Sequence, residues 1–182
     1  MNTVTITHAD QVKSILFVSK AIAGKKDLRI HLQHLYVDDT RIIATDGNRL
    51  HLVNREDFPD MENGYYAPVK QGKNILLVPA AEQAITYPNI DQVIPQEHSI
   101  SIDLTKGKDD NLYTSIIMFT VFNANKSLLN HNYVEDITSI DNWTVKMSDQ
   151  ASSPILFANC IHKAVIMPFC TTLPELPKKE DI

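Results

Sequence analysis

The residues best suited to catalysis or metal binding are three histidines that lie close together in the sequence: His31, His34 and His51. Strand alternation could bring two of these histidines together, and the acidic residues Asp38, Asp39 and Asp46 are nearby in the sequence. Their spacing matches no known metal-ligand pattern, and no nucleophile has an obvious base. With only five glycines, a phosphate loop has little to form from. We therefore expect surface or partly buried histidines, and neither metal, cofactor nor enzymatic activity.

A second group of residues favours binding over catalysis. The segment from Ile42 to Val53 reads IIATDGNRLHLV, and its centre consists of Asp46, Gly47 and Asn48. These residue types adopt positive φ at low cost, so the centre predicts the tight turn of a β-hairpin.

Apolar residues alternate in both halves of this hairpin, at Ile42 and Ala44 and again at Leu50 and Leu52. This pattern predicts that the hairpin buries one face of its two strands. We expect three side chains to be presented near the turn: Thr45, Arg49 and His51.

The composition is that of an ordinary soluble globular domain. The 182 residues suffice for one core of ordinary size, and 43% are hydrophobic while 21% are charged. A net charge of -5 argues against a protein that coats nucleic acid through bulk positive charge, although a local basic face is compatible with it.

The two cysteines, Cys160 and Cys170, form no C-x-x-C pair and have no histidine at metal-like spacing. They favour buried free thiols over the alternative, a structural disulfide. The N-terminus lacks the basic start and apolar core of a signal peptide, and no apolar run approaches the ~20 residues that span a bilayer. We therefore expect a cytoplasmic protein without membrane contact.

The predicted elements follow from apolar periodicity. The first half of the chain predicts a strand near Val4 and Ile6, a helix over 9–23 and strands over 28–32 and 35–37 before the hairpin. The second half predicts strands over 65–69 and 74–79, a long hairpin of 99–104 with 113–122, a second helix over 123–140, and closing strands over 143–147, 155–160 and 163–169. Two prolines and a charged end predict a mobile tail over 170–182, or a segment that orders on contact with a partner.

Three segments resemble a known family. ATDGNRL, residues 44–50, resembles the ATDGHRL segment of bacterial sliding clamps, the β subunit of DNA polymerase III, and VIMPF, residues 165–169, resembles the strand that ends those clamps. From Phe122, the segments FNANKSLL, WTVKMSD, SPILF and AVIMPF resemble, in order and spacing, the last helix and last three strands of a clamp domain. We interpret the chain as a single-domain or phage-like clamp homologue.

The resemblance implies a hydrophobic groove that receives short peptides of replication proteins. The apolar side chains suit such a groove, and Arg49 could fix a peptide carbonyl or carboxylate. The implied groove residues are Thr45, Gly47, Asn48, Arg49, Leu50, Val165, Ile166, Met167, Pro168 and Phe169. The structural alternative is that Asp46 and Gly47 only form a turn, and that Met167 and Pro168 only end a strand.

The resemblance also implies helices that face duplex DNA through contacts to its backbone. The available cations are Lys13, Lys20, Lys25, Lys26 and Lys126. Glu135 and Asp136 oppose such a surface, and a solvated face with scattered lysines is the alternative.

Together these features predict an α+β fold. We expect one clamp-like domain over 1–169, with two helices on one side of an antiparallel sheet and with 61–120 as an insertion or rearranged hairpins. We expect a non-enzymatic sliding-clamp-like protein of DNA replication or repair, in a homo-oligomer, that recruits partner peptides. The alternative is a clamp-fold module that does not encircle DNA and modulates a host replication protein.

Overall fold

A computed structural model describes residues 2–80 and 86–169 of the chain. Its strands are β1 (Val4–Ile6), β2 (Leu35–Val37), β3 (Arg41–Thr45), β4 (Arg49–Asn54), β5 (Gly64–Gln71), β6 (Asn74–Pro79), β7 (Ile100–Leu104), β8 (Trp143–Met147), β9 (Ile155–Ala158) and β10 (His162–Ile166). Its helices are α1 (Ala9–Ser19), α2 (Asp110–Asn125) and α3 (His131–Ile137), with 3-10 turns at Ile30–Gln33 and Ile90–Gln92.

The ten strands form one antiparallel sheet in the order β1-β6-β5-β2-β3-β4-β10-β9-β8-β7. The strands before residue 80 occupy one half of this order, and the strands after residue 100 occupy the other. The halves meet where β4 pairs with β10, in a register that sets Leu50 opposite Val165 and Arg49 opposite Ile166. The two segments singled out in the sequence are therefore neighbouring strands.

The predicted hairpin is confirmed as β3 and β4, with Thr45 opposite Leu50. The Asp46 carboxylate accepts hydrogen bonds from the backbone N–H groups of Asn48 and Arg49 at 2.9 and 3.1 Å. Gly47 has a φ of 89°, which explains why the turn needs glycine there.

All three helices bury side chains in one core with the same face of the sheet. Phe17 of α1, Ile117 of α2 and Val134 of α3 join this core, as do the strand residues Ile42 and Phe157. The structure thus has three helices among its described residues, where the sequence predicted two.

The opposite face of the sheet is buried as well, so the prediction of one buried face for the hairpin is wrong. Ile42 and Ala44 face the helices, whereas Leu50 and Leu52 pack in a second cluster on the other face. The 3-10 turns at Ile30–Gln33 and Ile90–Gln92 supply part of that cluster, since Leu32 and Ile90 belong to it.

The prediction of a strand over 113–122 is wrong, because this segment lies in α2. Tyr113, Ile117 and Val121 are buried at helical spacing, and the Asp109 side chain caps the helix by accepting from the N–H groups of Asn111 and Leu112. The predicted helix over 123–140 is instead the end of α2 followed by α3. The β-branched residues that suggested a strand are accommodated because tertiary burial outweighs their weak helix propensity.

Four further predictions concern residues 28–32, the segment 61–120, the two cysteines and the tail. Residues 28–32 do not form a strand, since Leu28 is 96% exposed and a 3-10 turn begins at Ile30. Within 61–120, β5 and β6 enter the sheet between β1 and β2, while β7 and α2 belong to the second half. Cys160 is exposed rather than buried. Cys170 and the predicted tail over 170–182 lie outside the described residues.

Candidate functional site

A pocket of about 240 Å³ opens beside the junction of β4 and β10. The backbone N–H of Met167 donates to the carbonyl of Asn48 at 2.9 Å, which extends the contact between the strands beyond their ladder. We call this site the β4–β10 pocket; it is lined by Arg29, Leu32, Thr45, Gly47, Asn48, Arg49, Leu50, Pro88, Asn89, Ile90, Val93, Val165 and Met167.

The floor of the β4–β10 pocket is apolar and its rim is partly open. Leu32, Leu50 and Val165 are at most 3% exposed, whereas Met167 is 40% and Val93 is 44% exposed. Methionine side chains adapt to differently shaped partners. The arrangement therefore suits an apolar side chain that enters past Met167 and Val93.

Arg29 is the accessible cation of this pocket. Its guanidinium donates to the Asp27 carboxylate at 2.7 and 3.0 Å and to the Asp46 carbonyl at 2.8 Å. The hydrogen bond from Arg29 lowers the pKa of Asp27 to about 2, so the pair stays ionised at neutral pH. No atom among the described residues accepts a hydrogen bond from Nη1, which leaves N–H groups for a ligand.

Arg49 is committed to the protein itself. Its guanidinium bonds to Asp46 at 3.2 Å, to Asp136 and to the carbonyl of Lys20, and it lies 4.4 Å above the Tyr133 ring. With only 11% of its side chain exposed, it ties the hairpin to α1 and α3. The structure thus places Arg49 as a structural residue at the edge of the pocket, and Arg29 takes the position expected of a ligand-binding cation.

Comparison of the fold with solved structures finds DNA polymerase sliding clamps. The clamp from Bacillus subtilis matches with a TM-score of 0.63 and 13% sequence identity, over 94% of this chain and 65% of that one. The clamp from Bartonella birtlesii, bound to griselimycin, matches with a TM-score of 0.61 and 16% identity, over 93% and 66%. This chain has the sliding-clamp fold. It spans about two thirds of the length of these clamps, and no family model and no curated protein matches its sequence.

The predicted groove residues of this clamp-fold chain divide into two sets. Those that line the pocket are Thr45, Gly47, Asn48, Arg49, Leu50, Val165 and Met167. Ile166 faces the helix core, Pro168 is buried, and Phe169 pairs with Leu128 through a backbone hydrogen bond of 2.8 Å. Since alternate strand residues point to opposite faces, Ile166 cannot line a pocket that contains Val165 and Met167.

Sequence patterns did not predict six of the lining residues, which are Arg29, Leu32, Pro88, Asn89, Ile90 and Val93. They come from irregular segments and 3-10 turns, which have no apolar period. The segment YPNIDQVIP at 87–95 supplies four of them, and its cluster of prolines and polar residues indicates a loop without indicating a pocket.

The predicted DNA-binding lysines lie along and after α1 and at the end of α2. Lys13 and Lys20 form ion pairs with Asp141 and Asp136 at 3.3 and 3.4 Å. Lys25 and Lys26 lie in the exposed connection after α1, and Lys126 ends α2 with its Nζ 5.3 Å from the Phe122 ring. Helix α2 itself contains no lysine or arginine.

Besides His31, which is 8% exposed, two histidines are buried against Phe17 in the core, and this corrects the expectation that His51 is presented near the hairpin turn. His51 is fully buried, stacks on Phe17 at 4.4 Å and bonds to its carbonyl at 2.8 Å. His162 makes a hydrogen bond of 2.9 Å with the Ser14 hydroxyl. Its ring also packs edge-on against the Phe17 ring, with 5.2 Å between the ring centroids. Burial lowers the pKa of each histidine to about 4, so both are neutral at pH 7.

The described part of the chain contains no group of three or more His, Cys, Asp or Glu residues placed to hold a metal ion. Nor does any helix within residues 2–80 and 86–169 have the length and apolar character needed to cross a membrane.

Proposed function

We propose that this chain is a clamp-like accessory protein of DNA replication or repair, and that it recruits partner peptides through the β4–β10 pocket. The observation that carries the proposal is the convergence of two distant segments, 45–50 and 165–167, on one apolar pocket within a sliding-clamp fold. The role is non-enzymatic, because the pocket offers apolar contact and a cation but no nucleophile beside a base. We place the protein in the cytoplasm, with replication proteins as its partners.

The pocket favours a short peptide with apolar and acidic side chains. Its volume of about 240 Å³ holds one or two apolar side chains and is smaller than a typical drug site. A carboxylate or carbonyl of the same peptide can accept from Arg29 Nη1, and such charge-assisted hydrogen bonds are the stronger kind.

The experiment measures binding of the fluorescein-labelled pentapeptide Gly-Leu-Asp-Leu-Gly, which offers two apolar side chains and one carboxylate. We expect Met167→Ala and Arg29→Ala each to weaken binding by about tenfold, or roughly 1.4 kcal/mol. The control is Ile161→Ala, because Ile161 is similarly exposed at 43% but lies outside the pocket. Equal affinity of all four proteins in fluorescence anisotropy would refute the pocket.

A second candidate function is a clamp-fold module that does not encircle DNA. The ion pairs of Lys13 and Lys20 and the absence of cations from α2 favour it, because phosphate binding needs uncompensated positive charge. A pull-down with nicked circular plasmid separates the two. A closed oligomeric ring retains the circle and loses it after linearisation, whereas the module retains neither form.

A further inference from the structure

The outer surface of α2 is unusually apolar for a solvent-facing helix. Leu112, Ile116 and Phe119 are 59%, 42% and 71% exposed, and their spacing of four and three residues places them on one side of the helix. We call these three residues the α2 apolar face. We propose that this face pairs with the α2 apolar face of a second copy of the chain, with the two helices antiparallel.

The chemistry of α2 argues for a protein partner. No residue from Asp110 to Asn125 is cationic, and Asp109 and Asp110 stand at its start. A helix that binds phosphates or an anionic membrane surface needs lysine or arginine beside its apolar residues. An apolar stripe without cations instead matches the seam of a helix pair.

Two polar residues of this surface already donate hydrogen bonds within the helix. Ser115 Oγ donates to the carbonyl of Asn111 at 3.0 Å, and Asn123 Nδ2 donates to that of Phe119 at 2.9 Å. The Ser115 hydroxyl and one N–H of the Asn123 amide therefore keep their hydrogen bonds when a second copy covers them. Ser115 is also small, which permits close approach of the two backbones.

The sequence of α2 is self-complementary in an antiparallel pair. We place a two-fold axis perpendicular to the helix, at the level midway between positions 117 and 118. In an antiparallel pair about this axis, Ile116 faces Phe119 of the partner subunit. The same axis brings Lys126, just past the helix, to the level of Asp109 of the partner subunit. It also lies beside Asp110 of the partner subunit, an exposed carboxylate that pairs with Lys106 of its own chain at 2.8 Å. Opposite charges therefore meet at both ends of the apolar contact, which is why the occupant we choose is a second copy.

This dimer leaves the proposed peptide site open. Leu50 and Val165 of the β4–β10 pocket belong to the cluster on the sheet face opposite the helices. The inference thus stands on α2 alone, and failure of peptide binding would not affect it.

The first test is sedimentation equilibrium of the full chain at concentrations from about 1 to about 100 μM. This range covers the dissociation constants expected of a weak dimer. We expect a monomer–dimer equilibrium whose dissociation constant rises at least about tenfold in Phe119→Lys, because one buried aromatic side chain carries that much binding energy. Val69→Lys is the matched control, since Val69 is 46% exposed on β5, away from α2. Circular dichroism checks that both variants fold.

The second test addresses the antiparallel register. Lys126→Glu and Asp110→Lys should each weaken the dimer, and the double variant should recover it, because the exchanged charges attract again. A monomer at every concentration, a dimer unaffected by Phe119→Lys, or a double variant as weak as the sum of its single changes would overturn the proposed pairing.

Discussion

Gly47 fills a position at the hairpin turn that a side chain does not fit. Its φ of 89° lies in the left-handed region, and a Cβ there would come within 2.6 Å of Arg29 Nη1. We predict that Gly47→Ala lowers the free energy of unfolding by about 1–2 kcal/mol, from backbone strain and displacement of Arg29. Urea denaturation measures this.

Gly24→Ala is the control for that prediction. Gly24 has no atom within 4 Å of an added Cβ and no positive φ, so we expect little change in stability. Equal free energies of unfolding for the two alanine variants would show that neither the positive φ of Gly47 nor its close contact with Arg29 contributes to stability.

The buried His51 makes the free energy of unfolding depend on pH. Its pKa is about 4 in the folded protein and 6.5 ordinarily, so the unfolded chain binds more protons between these values. The stabilisation is complete above pH 6.5 and is lost as the pH falls toward 4. We predict a loss of about 2 kcal/mol for this histidine between pH 7.5 and 5, measured by urea denaturation.

The matched variant is His51→Phe, which retains an aromatic ring against Phe17 but cannot titrate. We expect it to show a smaller difference between pH 7.5 and 5 than the wild type, with the remainder due in part to His162, whose pKa is lowered in the same direction. If the variant lost as much stability between pH 7.5 and 5 as the wild type, protonation of His51 would not be the cause of the loss.

Among the elements, the hairpin depends on α3 through Arg49. We predict that Arg49→Ala and Asp136→Ala show a coupling energy of about 1–2 kcal/mol in a double-mutant cycle of unfolding free energies, because the pair is partly shielded from water. The pair of Arg41 with Asp91 serves as the comparison. Asp91 is 62% exposed, so its coupling should stay below about 1 kcal/mol. Equal coupling in the two pairs would contradict this role of Arg49.

The sequence predicted an element correctly where its apolar residues follow a single period, either that of a strand or that of a helix. The β3–β4 hairpin and the closing strands β8 to β10 were predicted because turn residues and alternating apolar positions agree there. Helix α2 was missed because Thr114, Ile116, Ile117, Thr120 and Val121 have strand propensity, while its burial pattern follows the helix. Half of the pocket lining was missed for a different reason, since irregular segments such as 86–95 leave no periodic signal.

At the scale of the whole molecule, the two halves share one core. Phe17 from the first half lies 5.8 Å from Trp143 of the second, and β4 pairs with β10 along five residues. We predict a single cooperative transition in urea. The fluorescence of Trp143, the only tryptophan of the chain, and far-ultraviolet circular dichroism should report the same midpoint. Two separate midpoints would show that the halves unfold independently.

The strand order also has a consequence for assembly. Outward from the junction of β4 and β10, one half contains six strands and the other contains four. Neighbouring strands are spaced by about 4.8 Å, so the six-stranded half extends roughly 10 Å farther from the junction than the four-stranded half. If copies joined through their edge strands with β1 of one meeting β7 of the next, their β4–β10 pockets would be evenly spaced. If like edges met instead, the spacing between pockets would alternate between long and short.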